Sequence, residues 1–129
     1  VKTANIKINK KDFFFKWVEF TKPFHGLRKQ LQDLLAWLLY HHYTLGLVIK
    51  HEGILWKQVF DYDTKVLIMT EMNIQQSTLE NLLHSLRKAG VVENNRIKPT
   101  YVPNITEESE SFIININFIF NDVERKEVT

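Results

Sequence analysis

The chain has no cysteine, only four glycines and three prolines, and no apolar run near the ~20 residues that cross a bilayer. Without cysteine there are no disulfides, no thiolate zinc site and no cysteine nucleophile. The absence also fits an intracellular, reducing compartment. So few glycines leave little material for a phosphate-cradling loop, and none is present. No serine stands in a nucleophile-elbow context. His41, His42, His51, Glu52, Asp61 and Asp63 are the one grouping that suggests a metal. Adjacent histidines on a helix diverge by about 100°, so His41 and His42 do not easily share an ion. Helix capping suits the two aspartates better, and surface exposure suits the histidines. The residues therefore predict no enzyme, no metal and no cofactor. The opening "VKTANIKINKK" lacks the apolar core of a signal peptide. It also lacks an initiator Met, which predicts that the chain has been processed or trimmed.

What is present is enough for one core. At 129 residues, 44% hydrophobic and 25% charged, the chain has the size and composition of a single soluble domain. Lys, Asn and Ile are abundant while Ala and Gly are scarce, the composition of an AT-rich coding genome such as a phage or a low-GC bacterium. The expected location is then the cytoplasm of a bacterial host. Asn104-Ile105-Thr106 matches a glycosylation sequon, which carries meaning only in a secreted protein. Net charge is only +2, but its distribution is uneven. Lys2, Lys7, Lys10, Lys11, Lys16, Lys22, Arg28 and Lys29 stand early against Asp12 and Glu19. Acids gather late, in "TEESES" (106–111) and "NDVERKEVT" (121–129), so one end is basic and the other acidic.

Periodicity divides the chain. Ile6 and Ile8 alternate with Lys7 and Asn9, which predicts a short edge strand. Asp12 is placed to cap "FFFKWVEF", whose Phe13, Trp17 and Phe20 share a helical face beside Phe14 and Val18. That aromatic face packs on the body of the domain or, as the alternative, on a protein partner or a second copy through Phe13, Phe14, Trp17 and Phe20. Pro23 and Gly26 interrupt the chain before Leu27, Leu31, Leu34, Leu35, Leu38 and Leu39, the strongest amphipathic stripe. Gly46 closes that region, "HEGILWKQVF" reads as a short helix, and Asp61 or Asp63 caps a helix opening at Thr64. After Gly90, a good residue to follow a helix, the period changes. Val91 and Val92 lead through Asn94-Asn95 into "RIKPTYVP", and Pro99 confines that segment to an edge. Phe112, Ile114, Ile116, Phe118 and Phe120 alternate with Ile113, Asn115, Asn117 and Ile119, predicting a strand with its even-numbered residues in the core.

Within this order, "TKVLIMTEMNIQQSTLENLLHSLRKAG" is two helices with almost nothing between them. Asn73 takes the turn, Ile74 pins it, Ser77 and Thr78 start the second helix, and Leu79, Leu82, Leu83 and Leu86 form its buried face. The stretch resembles the helix-turn-helix of winged-helix DNA-binding domains, with Asn73 where the family usually has Gly. The resemblance spans about residues 27–120 and implies an α+β, mainly helical fold with a C-terminal β-hairpin wing. The single domain 1–129 would then comprise a basic and aromatic extension (1–26), a helical core (27–90, helix-turn-helix 64–88), wing strands (91–120) and a tail (121–129).

In that family the second helix enters the major groove with its early exposed residues. The resemblance thus implies base reading by Gln75, Gln76, Ser77, Glu80, Asn81 and His84. Arg87 and Lys88 would hold phosphates, as would Lys65, Arg96, Lys98 and the arm residues Lys2, Lys7, Lys10 and Lys11. The expected function is double-stranded DNA binding in transcription or replication control. Glu80 puts negative charge on the reading face, and Glu107, Glu108 and Glu110 make the expected wing loop acidic. An acidic wing either points away from DNA or belongs to a version of the fold that binds protein. The alternative is therefore a protein-interaction module docking on a polymerase, a replication complex or a virion assembly.

Overall fold

The computed structural model describes residues 2–122. It is mainly helical, with one small antiparallel hairpin near its C-terminal end. The helices are α1 (Lys10–Phe20), α2 (Lys22–His25), α3 (Lys29–Gly46), α4 (Glu52–Val59), α5 (Tyr62–Met72) and α6 (Gln76–Lys88). Strands β1 (Val92–Glu93) and β2 (Arg96–Ile97) follow, then a 3-10 turn at Pro99–Tyr101.

α3 runs through the middle because its stripe is wide enough to be buried on several sides. Leu34, Leu35, Ala36, Leu38 and Leu39 are at most 2% exposed. α1, α4, α5 and α6 all pack on it. Each of these leucines contributes about 1.5–3 kcal/mol by leaving water. Buried Gln32 is satisfied locally, its amide donating to the Leu27 carbonyl at 2.7 Å.

The helix boundaries follow their caps. α1 starts two residues before Asp12, so the expected Asp12 cap is corrected to Asn9. The Asn9 side-chain oxygen accepts from the Asp12 amide at 2.8 Å, and its side-chain NH2 donates to the Asp12 carboxylate at 3.0 Å, which holds the cap in place. Asp61 caps α5, which opens at Tyr62 rather than Thr64; the hydroxyl of buried Thr64 instead donates to the Gln58 carbonyl at 2.8 Å. His51 caps α4, its Nδ1 accepting from the Ile54 amide at 3.2 Å.

Gly90 adopts φ +78° and ends α6, with the Val91 amide reaching back to the Leu86 carbonyl at 3.1 Å. The chain then turns through Asn94 and Asn95, both at positive φ (53° and 52°), the conformation of a tight two-residue hairpin. Val92 pairs with Ile97 and Glu93 with Arg96. Val92 and Ile97 are both 2% exposed, and β1 packs against α6.

Two expected strands are not formed. Residues 2–9 are irregular and exposed, and Ile6 is 73% exposed. Residues 112–120, expected as a core strand of the wing, have no ladder partner and lie almost wholly in solvent. Phe112 alone is half-buried, its ring 5.1 Å from Phe13 and 5.5 Å from Trp17. A strand needs a neighbour for its backbone groups, and β2 ends before Pro99, so the hairpin offers too short an edge. Of the strands expected as a wing over 91–120, only the hairpin at 92–97 is formed. Of the tail, residues 123–129 lie outside the described residues.

Candidate nucleic-acid interface

The α5–α6 turn rests on one residue. Asn73 takes the left-handed conformation (φ 54°, ψ 52°), a region where only Gly and Asn are comfortable. The Ile74 amide bonds the Met69 carbonyl at 3.0 Å, and half-buried Ile74 packs against the core. α6 then places Leu79, Leu82, Leu83 and Leu86 inward at 0–2% exposure.

Its outer face is polar. Gln75, Gln76, Ser77, Asn81 and His84 are exposed, as expected for base-reading candidates. Gln75 is the N-cap residue, and its side chain makes no capping bond. The amides of the first turn are therefore left for solvent or for an anion.

Glu80 differs from the rest of that face. Its carboxylate accepts from the Lys65 ammonium on α5 at 3.0 Å. A base-reading candidate and a phosphate candidate thus bind each other. The pair removes the isolated negative charge from the face and, at the same time, occupies Lys65. Fifteen residues separate the two in sequence, so no local spacing rule pointed to the pair.

The other cations divide by position. Arg87 and Lys88 are exposed at the C-terminal end of α6, where positive charge complements the helix dipole. The Arg87 guanidinium reaches the Asn95 side-chain oxygen at 3.5 Å, and the Lys98 ammonium stands 3.8 Å from where a Cβ on Gly90 would be. Arg87 and Lys98 thus stand where α6 meets the hairpin, and Lys88 is exposed at the same helix end. Arg96 points elsewhere, its guanidinium 3.6 Å from where a Cβ on Gly53 of α4 would be.

The expected basic arm is partly fixed. Lys10 donates to the Thr106 and Glu107 carbonyls and lies 5.7 Å from the Tyr43 ring centroid. Lys11 lies 5.0 Å over Trp37. Both belong to the first turn of α1, whereas Lys2 and Lys7 sit in the exposed irregular segment. The Lys10 contacts also locate the acidic stretch. Glu107 and Glu108 line a cleft of about 760 Å³ between α1, α3, α4 and the chain after β2. They are therefore not at the hairpin tip, which Asn94 and Asn95 occupy.

The aromatic residues of α1 are largely consumed inside the chain. Phe14 is 2% exposed and Phe15 packs edge-on to Trp37 at 5.2 Å. The Trp17 indole donates to the Tyr101 carbonyl at 2.7 Å. Phe20, at 49% exposure, is the most open of the set.

Of the residues grouped by sequence as a metal candidate, His42 and Glu52 come within 3.5 Å of each other, while His41 and His51 find other partners. His41 pairs with Glu71 at 2.7 Å, and His51 caps α4. His42 stacks on Trp56 at 4.0 Å, and the Trp56 indole donates to Glu52 at 2.8 Å. Burial lowers the His42 pKa from the ordinary 6.5, while Glu52, 3.5 Å away, pulls it upward. Its Nε2 makes no hydrogen bond. Among the described residues no group of three His, Cys, Asp or Glu side chains could hold a metal ion, and no helix is long and apolar enough to cross a membrane. Comparison of the chain with protein-family models, with curated proteins and with solved structures found no match.

Proposed function

We infer that the chain is a winged-helix protein that binds double-stranded DNA through α6, acting in transcription or replication control. The observation that carries this reading is the α5–α6 unit. A left-handed Asn73 turn sets an amphipathic helix whose open face holds Gln76, Ser77, Asn81 and His84 and whose far end holds Arg87, Lys88 and Lys98. Gln and Asn can pair bidentately with adenine, and the basic end can bind phosphates that fix register. The acidic stretch lies against α1, away from the hairpin tip, so it does not bring negative charge to the face with the hairpin.

A second reading rests on the surface of α5. Tyr62, Val66 and Leu67 are 59%, 38% and 54% exposed on the helix that would cross the DNA backbone. Val66 and Leu67 have nothing to offer phosphates, and they favour a protein partner docked on the same fold.

A salt titration against random duplex separates the two. DNA binding should weaken with a slope of about −0.9 in log affinity per phosphate neutralised. Replacing Arg87 and Lys88 together should weaken all duplexes alike. Gln76→Ala or Asn81→Ala should cost about 1–3 kcal/mol on a preferred sequence and little on random DNA. No salt-dependent duplex binding at low ionic strength would overturn the DNA reading and leave the α5 surface as the one to test.

A further inference from the structure

The segment "FIININFIF", residues 112–120, carries no charge, no Gly and no Pro. It is rich in the residues that favour strands, yet it stands almost fully exposed: Ile113, Phe118 and Ile119 are 79%, 82% and 84% open to solvent. Such a segment calls for a neighbouring strand, and its own hairpin has only two residues per strand to offer.

Its order of residues identifies the neighbour. Around Ile116 the sequence is nearly a palindrome: Phe112 mirrors Phe120, Ile113 mirrors Ile119, Asn115 mirrors Asn117, and only Ile114 and Phe118 differ. We propose that residues 112–120 of two copies of this chain pair as an antiparallel two-stranded ribbon centred on Ile116, making the protein a two-fold symmetric dimer.

In that register every residue meets its like except Ile114 and Phe118, which oppose each other. Phe meets Phe, Ile meets Ile, Asn meets Asn, and Ile116 meets the partner's Ile116 across the axis. Sliding the pairing by two residues sets Asn opposite Ile on the odd-numbered face, and sliding it by one mixes the two faces. The centred register is thus the one that matches both faces. An isolated ribbon is only marginally stable, and the even-numbered face has a place to rest. Phe112 already lies against Phe13 and Trp17, so the partner's Phe120, opposite Phe112, arrives at the aromatic surface of α1. No charged side chain within the ribbon opposes the pairing.

The absence of native cysteine makes the register directly testable in the full chain. Across the axis, Ile116→Cys places two sulfurs on Cα atoms about 4.5–5.5 Å apart, within disulfide range. The same substitution at Ile119 places them about 20 Å apart, from the rise of six extended residues. The expected results are sedimentation at twice the 15.4 kDa chain mass, rapid oxidative cross-linking of Ile116→Cys, and none of Ile119→Cys. A mixture of Ile113→Cys and Ile119→Cys chains should cross-link as well. Ile116→Lys, at a site 55% exposed and so tolerable to the helical body, should return the protein to a monomer. The proposal is overturned by a monomer at micromolar concentration, which would place the segment within its own chain or on a foreign partner. It is also overturned by cross-linking of Ile119→Cys as fast as Ile116→Cys, which would mean unregistered association, or by a dimer that survives Ile116→Lys.

Discussion

α6 and residues 112–120 are both apolar along one face, and they end in opposite circumstances. α6 buries four leucines to 2% exposure or less, because α3 and the hairpin supply surfaces at the spacing of a helical stripe. In the later segment, Phe112 finds Phe13 and Trp17 while Phe118 and Phe120 stay 82% and 76% exposed. A helix satisfies its own backbone and needs only side-chain contact, whereas a strand must also find hydrogen-bonding partners along its edge. An apolar face therefore leads to burial in one case and to solvent in the other, although the exposed segment is the more apolar of the two.

The largest expected effect tests that contrast directly. Leu86→Ala, at a site 0% exposed, should cost about 2–5 kcal/mol in urea unfolding of the helical body. Phe118→Ala, compared in the Ile116→Lys background that keeps the chain monomeric, should leave that transition within about 0.5 kcal/mol, as for a site 82% exposed. Similar losses for the two would mean that the segment belongs to the core of the body after all.

The next effect falls on the turn that aims α6. Asn73→Val should destabilise by about 1–2 kcal/mol or more, because a β-branched residue resists the left-handed region. Asn73→Gly should be neutral or mildly stabilising. Equal thermal midpoints for Asn73→Val and the parent would place the strain elsewhere.

These two cases mark what the residues alone could reveal. The helix pair was legible because each signal was local: Leu spacing, Asn73 before Ile74, Gly90 after the last turn. The Asn94-Asn95 turn was legible for the same reason. The strand at 112–120 was not, since alternation says which faces want burial and nothing about whether a ladder partner lies within reach. Nor was the cap at Asn9, because Asp12 is an equally good capping type three residues later. Lys65 with Glu80, and Lys10 with the carbonyls of Thr106 and Glu107, join residues far apart in sequence and were beyond any spacing rule.

The Lys65–Glu80 pair gives a smaller effect with two readouts. The side chains are 22% and 43% exposed, so water screens the pair and its contribution should be about 0.2–1 kcal/mol. Glu80→Gln should cost no more than that in stability. It should tighten random-duplex binding, because it removes a negative charge and frees Lys65 for a phosphate. Unchanged binding with unchanged salt dependence would mean that this part of α6 and α5 does not approach DNA.

The smallest expected effect is a pH dependence at His42, on the side of α3 that meets α4. Its ring is stacked on Trp56, its Nε2 has no hydrogen bond, and Glu52, Lys50 and Arg96 border the same cleft. Burial lowers its pKa below the 6.5 of the unfolded chain, although Glu52 opposes the shift. Between those two values the unfolded state binds more protons than the folded state, so stability rises with pH across the interval. The His42 contribution should be fully present above pH 6.5 and fade as pH falls through the folded-state value. His42→Gln cannot titrate. The stability difference between it and the parent should therefore shift in the variant's favour as pH drops below 6.5, measured by urea unfolding at a descending series of pH values. A difference that stays constant across that series would mean that the folded protein takes up the proton as readily as the unfolded chain. Glu52 would then offset the burial against Trp56 in full.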